Sequence, residues 1–147
     1  MKKTLEIELV PSSSWGDNLR KELSASKWRK LSISCSDRAG GRCEVCGTKP
    51  RNRRPDCHEI WEYDDVKKVQ RLVGLVALCT TCHKAKHLGR TLSVESAEVR
   101  DRVLMKLMKM NEMSVDELEA YIIEVFKKYE ERSRHKWTVD TSWLERG

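Results

Sequence analysis

Residues 43–47 read Cys-Glu-Val-Cys-Gly, and residues 78–87 read Leu-Cys-Thr-Thr-Cys-His-Lys-Ala-Lys-His. Each stretch contains a Cys-x-x-Cys pair, in which a tight turn brings two thiolates together. Two such pairs supply the four sulfur ligands that zinc takes in structural sites. We therefore predict a structural Zn²⁺ bound by Cys43, Cys46, Cys79 and Cys82. Gly47 after the first pair relieves the turn.

The same cysteines could instead form a redox pair or simply pack in the core. A thioredoxin-like redox motif needs one Cys-x-x-Cys pair beside a βαβ pattern, whereas this chain has two pairs. The chain has six cysteines in all, and the remaining two are predicted to pack in the interior. Cys35 lies on a predicted helix, and Cys57 lies on a predicted strand beside His58.

Three of the four histidines lie between residues 42 and 90, close to the cysteines. His83 and His87 are four residues apart on a predicted short helix, so they share one face. His58 lies on a predicted strand between the two cysteine pairs. If two strands and a helix pack around the cysteines, the three imidazoles face one another. They would then form a second metal site with open positions, although histidines at this spacing are more often surface side chains.

The pattern of apolar residues predicts a mixed α+β fold. Alternation of Leu5, Ile7 and Leu9 with glutamates predicts an N-terminal strand that Pro11 ends. Two further strands are predicted at residues 56–62 and 69–78, and the second is nearly all apolar and therefore buried. A helix is predicted from about residue 81 to 88, ending at Gly89.

Helices are predicted on both sides of this central region. One N-terminal helix carries Leu19 and Leu23, and a second begins near Ser26 and ends at Gly40-Gly41. Two C-terminal helices are predicted from the apolar spacing, and a capping box of Ser114 and Glu117 begins the second. A short strand near Trp137 is expected to pair with the N-terminal strand or to join one sheet with it. The three regions 1–41, 42–90 and 91–147 are expected to form one compact unit.

The composition and the net charge indicate which binding partners and which cellular compartment to expect. The chain has 147 residues and a formal net charge of +6, which suits a nucleic-acid partner but is common among other proteins. The absence of a long apolar run argues against a membrane partner, and the charged start argues against a signal peptide. The cysteines then indicate metal binding in a reducing cytoplasm. Protein partners are not indicated.

The order of these motifs resembles the HNH endonucleases. The matching features are a Cys-x-x-Cys pair, a strand histidine, an apolar strand, and Leu78-Cys79-x-x-Cys82-His83-x-x-x-His87. The resemblance covers residues 42–90 and implies a ββα-metal core with a four-cysteine zinc knuckle. It also implies hydrolysis of DNA phosphodiester bonds. The segment Cys57-His58-Glu59-Ile60-Trp61-Glu62-Tyr63-Asp64-Asp65 and the helical, Trp-containing tail look like phage and bacterial members, which implies the cytoplasm of a bacterial or phage-infected cell.

The resemblance implies a catalytic divalent ion, Mg²⁺, Mn²⁺, Ni²⁺ or Zn²⁺, bound by His58, His83 and His87. The family's strand carries a metal ligand followed by a histidine base, which takes a proton from the attacking water. In one register His58 is the ligand and Glu59 takes the place of the base. In the shifted register Cys57 replaces the ligand and His58 is the base. Neighbouring residues of a regular strand point to opposite faces, so only one of His58 and Glu59 can face His83 and His87. We favour the first register because an imidazole suits these two ligands better than a carboxylate. Glu59 can then act as the base only if the strand bends.

Some positions depart from the family pattern, and some can be interpreted in two ways. The family's asparagine, five residues before the third zinc cysteine, is replaced by Gly74. Glu62, Asp64 and Asp65 either add oxygen ligands to the metal or form a solvated turn. Six basic residues around the motif are expected to contact DNA phosphates. They are Arg51, Arg53, Arg54, Lys84, Lys86 and Arg90.

Two alternatives to a nuclease remain open. The first is a catalytically degenerate zinc module that binds DNA or a protein partner. The second is a purely structural zinc domain that presents its C-terminal helices as an interaction surface. A metal site at the three histidines, distinct from the cysteine site, would favour the nuclease.

Overall fold

The computed structural model describes residues 3–15 and 19–146. The described residues form a three-stranded sheet with helices around it, which confirms the predicted α+β class. The strands are β1 (Asp56–Asp64), β2 (Val69–Leu78) and β3 (Thr138–Asp140). The helices are α1 (Leu19–Glu22), α2 (Ala25–Arg38), α3 (Thr80–Lys86), α4 (Leu88–Val94), α5 (Ala97–Asn111) and α6 (Val115–Ser133). Short 3-10 helices cover Ser12–Ser14 and Ser142–Arg146.

Strands β1 and β2 form an antiparallel hairpin that leads directly into α3. Asp56 lies opposite Leu78 and Asp64 lies opposite Val69, with an irregularity in register between Ile60 and Trp61. The hairpin confirms both strands that the sequence predicted in this region. Because β2 ends at Leu78, the second cysteine pair follows at the junction between strand and helix.

The predicted C-terminal strand is present and joins the sheet. β3 runs parallel to the start of β2, with Val139 opposite Gln70. The N-terminal strand was a wrong prediction, because residues 3–11 take no strand conformation. The two terminal segments therefore do not pair as strands, although the Trp137 amide donates a 3.1 Å hydrogen bond to Ser13 Oγ.

Side chains of α5 and α6 bind the N-terminal segment in place of a neighbouring strand. The Leu5 amide donates to Asn111 Oδ1, and the Leu5 carbonyl accepts from Asn111 Nδ2, both at 2.9 Å. The Ile7 amide donates to Tyr121 Oη at 2.9 Å. The alternating burial of Leu5 and Ile7 therefore arises in an extended segment that belongs to no sheet.

The helical predictions hold except at Leu23, which lies just beyond the end of α1, and at Gly89. Gly40 and Gly41 have φ of 67° and 72° just after α2, and Ser114 with Glu117 forms the predicted capping box of α6. Gly89, predicted to end a helix, lies instead within α4, because the break falls at His87, where φ is −96° and ψ is 48°. A Cβ on Gly89 would lie 3.4 Å from Leu9 Cδ2, which is an ordinary van der Waals distance, so the N-terminal segment passes next to this residue.

Two clusters of buried side chains lie on either side of the hairpin. One joins the N-terminal segment and the cysteine region to α5 and α6, and includes Leu5, Leu78 and Leu107. The other joins the first helices to the sheet and includes Cys35 and Cys57, which confirms their predicted burial. Among the described helices, none combines the length and the apolar character that crossing a membrane requires.

Candidate metal centres

The four cysteines of the two Cys-x-x-Cys pairs lie together in the structure. Cys43 and Cys46 follow α2, Cys79 caps α3 and Cys82 lies in its first turn. Their sulfur atoms all lie within 4.8 Å of one another, and Cys46 Sγ is 3.7 Å from Cys79 Sγ. Around an ion with metal–sulfur bonds of about 2.3 Å, a regular tetrahedron places its sulfurs roughly 3.8 Å apart. The group therefore has the size that a tetrahedral four-sulfur site needs.

Backbone hydrogen bonds hold these sulfurs in place. The Cys46 amide donates to Cys43 Sγ at 3.5 Å, and the Cys82 amide donates to Cys79 Sγ at 3.4 Å. Amide donors of this kind favour the thiolate, which is the form that binds a metal. The Glu44 amide also donates to the Ala77 carbonyl at 2.9 Å, which ties the loop to β2.

Because the thiols lie close together, their pKa values shift in different directions. A hydrogen bond donated by the Cys82 thiol lowers the pKa of Cys43 to about 4, and the same bond raises the pKa of Cys82. Lys106 of α5 lies beside these sulfurs. Although burial disfavours its charged form, the hydrogen bond and the charge of Cys46 raise the pKa of Lys106. Such a concentration of potential negative charge suits a divalent cation.

The three histidines form a second group next to the first. His58 comes from the middle of β1 and is 3% exposed, His83 lies on α3, and His87 follows its last residue. The ring centroids are 5.3 Å apart for His58 and His83, and 4.9 Å apart for each of the other two pairs. One ring nitrogen from each lies within 4.8 Å of the others, which is close enough for all three to hold one ion.

Two carboxylates contact ring nitrogens of this group. His83 Nδ1 is 3.0 Å from Asp56 Oδ2, and His58 Nε2 is 3.3 Å from Glu8 Oε2. In metal sites a histidine ligand characteristically donates its other N–H to a carboxylate, which fixes the ring and its tautomer. Each of these two imidazoles has one nitrogen in contact with a carboxylate.

Burial determines the protonation state of His58 and His87 at neutral pH. It is the main cause that lowers the pKa of His58 to about 4 and that of His87 to about 3, with neighbouring imidazoles as a further cause. Burial also raises the pKa of Glu8 to about 7. Both imidazoles are therefore neutral at neutral pH, as metal ligands must be.

Neither Asp56 nor Glu8 was predicted as a member of this site, and Glu8 was the harder of the two to predict. Its side chain is 14% exposed and reaches His58 because the Glu8 amide donates to the Lys86 carbonyl at 2.9 Å, at the end of α3. The only nearby sequence feature that pointed to Glu8 was its position between Ile7, which is buried, and Leu9, which is partly buried. Asp56 had a stronger signal, since it precedes Cys57-His58 on the same strand.

The other predicted site residues differ in their positions and in their exposure to solvent. Glu59 follows His58 and lines the same cavity as His87. Gly74 lies opposite Ile60 on β2. Arg53 and Lys84 are ion-paired with Asp56 and Glu95, whereas Arg51, Arg54 and Arg90 are exposed and Lys86 is partly buried.

The three acidic residues after Glu59 have partners away from the histidines. Glu62 pairs with Arg71 at 3.5 Å, and Asp65 pairs with Arg132 at 2.9 Å. Asp64 Oδ1 accepts from the amides of residues 66 and 67, as in a turn. Of the two expectations for these residues, the turn is the one that the contacts support.

The fold and the two sites define an α+β protein with two adjacent groups of side chains that can hold metal ions. Comparison of the chain with protein-family models, with curated proteins and with solved structures finds no match. Function is therefore inferred from the chemistry of these sites.

Proposed function

We propose that this protein is a metal-dependent endonuclease of the HNH type that hydrolyses DNA phosphodiester bonds. Residues 42–90 form its ββα-metal core in this proposal. The observation that carries it is the convergence of His58, His83 and His87 within 4.8 Å, with a carboxylate in contact with one nitrogen of two of the rings. Three imidazoles leave coordination positions open for a phosphate oxygen and water, as catalytic metal sites require.

The cysteine group takes a separate role, that of binding a structural Zn²⁺. Cys79 caps α3 through the hydrogen bond from the Cys82 amide, and His83 is the next residue along the helix. An ion held by all four sulfurs would fix the start of α3 against the loop after α2. His83 and His87 would thereby keep their positions relative to His58 on β1.

The catalytic ion would be Mg²⁺, Mn²⁺, Ni²⁺ or Zn²⁺, and it would neutralise the charge that develops on the phosphate and the leaving oxygen. His58, His83 and His87 hold it, and Asp56 and Glu8 orient two of the rings. Glu59 lines the same cavity as His87, and its carboxylate would take a proton from the attacking water. Exposed arginines, among them Arg90, bind phosphates of the strand.

A zinc module that binds DNA or a protein partner without cleaving is the second candidate. Glu59 and Gly74 favour it, because both stand where the HNH pattern has other residues. A carboxylate at the place of the base is a weaker base than an imidazole unless its surroundings change it. We therefore expect cleavage, where it occurs, to be slow.

The test is nicking of supercoiled plasmid by the zinc-loaded protein, with each of the four divalent ions in turn. We expect His58→Ala to abolish nicking, because the ion loses a ligand. Glu59→Gln should reduce nicking strongly if Glu59 is the base. His135→Ala is the matched control, since this exposed histidine lies outside the site and its loss should leave nicking unchanged.

Two results would change these assignments. If His58→Ala is inactive while Glu59→Gln is undiminished, His58 is the base and the register is the shifted one. If no ion supports nicking although the protein binds DNA, the second candidate is correct and the nuclease is not.

A further inference from the structure

A cavity of about 640 Å³ adjoins the histidine site. Its lining includes His87 and Glu59 and the rings of Trp15, Trp61 and Tyr129. The volume falls within the range of small-molecule sites, and such sites typically combine apolar or aromatic walls with a few polar groups. The function proposed above gives no role to these aromatic rings.

Trp15 is held as a fixed and accessible ring. The residue is 62% exposed, yet its indole Nε1 donates a 2.8 Å hydrogen bond to the Val10 carbonyl. Its ring lies almost parallel to that of Tyr129, at 13° with centroids 6.3 Å apart. An exposed tryptophan in a fixed orientation is suited to stacking against a flat ligand, because the ring does not have to be ordered on binding.

Two deeply buried polar side chains line the same cavity without partners. Ser14 and Gln70 are each 1% exposed, and neither Ser14 Oγ nor Gln70 Oε1 has a hydrogen-bond partner among the described residues. Leaving a buried acceptor unpaired costs free energy, so a ligand that donates hydrogen bonds there would gain affinity. The cavity thus suits a flat molecule with aromatic faces and N–H donors on its edge.

We propose that this cavity binds an unpaired nucleobase of the DNA strand that enters the histidine site. A nucleobase has flat faces for Trp15 and edge donors for Gln70, and exposed Arg90 in the same lining can bind its phosphate. In a regular duplex the base faces are stacked and the edges paired, so the ligand must be single-stranded or extruded. The choice of a strand over a free nucleotide rests on the proposed nuclease function.

The test compares binding of a labelled single strand, a blunt duplex of the same sequence, and a competing free deoxynucleoside monophosphate. Fluorescence anisotropy is measured with protein that carries one zinc per chain and with no further divalent ion, so that the histidine site lacks its catalytic ion and cleavage does not interfere. The single strand should bind more tightly than the duplex. Trp15→Ala should weaken single-strand binding by about tenfold, and Trp15→Phe should restore most of it.

A second variant and a control separate binding from folding. Gln70→Leu keeps a similar volume and removes an unpaired acceptor, so it should weaken single-strand binding without lowering the melting temperature. Met105→Ala is the control, because Met105 on α5 is as exposed as Trp15, at 65%, and lies outside the cavity lining. It should leave binding unchanged.

Equal affinity for the two DNA forms, or full single-strand affinity in Trp15→Ala, would overturn the proposal. Trp15-dependent competition by the free nucleotide, at concentrations comparable to those of the oligonucleotide, would overturn the strand as the ligand. Single-strand binding that depends on Trp15 in a protein that never nicks plasmid would uphold the cavity and refute the nuclease. If the protein nicks plasmid but binds the single strand equally well with and without the Trp15 ring, the nuclease is upheld and the cavity proposal is refuted.

Discussion

The contact between Glu8 and His58 joins two residues that are 50 positions apart in the chain. Glu8 Oε2 holds the ring by one nitrogen, as Asp56 does for His83. Loss of such a partner commonly lowers metal affinity by about 10- to 100-fold, because the ring is no longer oriented and becomes less basic. These two carboxylates therefore matter to the histidine site although neither needs to touch the ion.

Glu8→Gln is expected to lower the affinity of the histidine site for Mn²⁺ by about tenfold or more. Isothermal titration of the zinc-loaded protein measures this directly, since Mn²⁺ prefers oxygen and nitrogen ligands to thiolates. Glu62→Gln on β1 is the control, because that side chain is 65% exposed and pairs with Arg71. Wild-type affinity in Glu8→Gln would show that Glu8 does not position His58.

His83 and His87 could be predicted as a pair because the helical repeat places residues four apart on one face. Glu8 could not be predicted, because the alternation around it indicated a strand with glutamates on its open side. The observed position depends on a backbone hydrogen bond to Lys86, at the far end of another element. Nothing within a few residues of Glu8 encodes that contact.

The hairpin and the long helices were predictable because their signals are local. The apolar run of β2, the capping box at Ser114 and the two glycines after α2 each act within a few residues. Gly89 failed as a helix end because it does not take the left-handed backbone conformation of a C-capping glycine, as Gly40 and Gly41 do. At this position the close neighbour is Leu9, and the helical break falls at His87 instead.

Gly89→Ala is expected to raise the free energy of unfolding by up to about 1 kcal/mol, since alanine is the better helix former. The added methyl group would meet Leu9 Cδ2 at 3.4 Å, which a flexible leucine end can accommodate. Thermal or urea unfolding followed by circular dichroism measures the change. A lower stability would mean that the N-terminal segment is packed too tightly against α4 to yield.

Contacts distant in sequence set the arrangement of the sheet and both termini. β3 pairs with β2 in parallel, with Arg71 opposite Asp140, and a side-chain contact of 3.3 Å supports the pairing. Such a register depends on the path of α5 and α6 between the strands. The sequence could indicate a short strand near Trp137, but not which strand would receive it.

Removing the ion from the cysteine group should unfold the central region. Metal-binding energy is folding energy in structural zinc sites, and in small zinc modules it amounts to about 10–16 kcal/mol. Cys46→Ser is therefore expected to lose zinc and to melt at a much lower temperature, if it is soluble at all. Cys57→Ala is the control, because this buried cysteine lies outside the group and the variant should retain its zinc. Unchanged melting of Cys46→Ser would refute a structural ion.

Counting bound metals tests the division into two centres most directly. The purified protein, saturated with Mn²⁺ and freed of excess ion by gel filtration, is analysed for zinc and manganese by mass spectrometry. We predict one zinc and one manganese per chain in the wild type, and one zinc with no manganese in the His83→Ala variant, because only the histidine site has lost a ligand. A wild type without a second ion, or a His83→Ala variant that keeps it, would contradict the assignment of two centres.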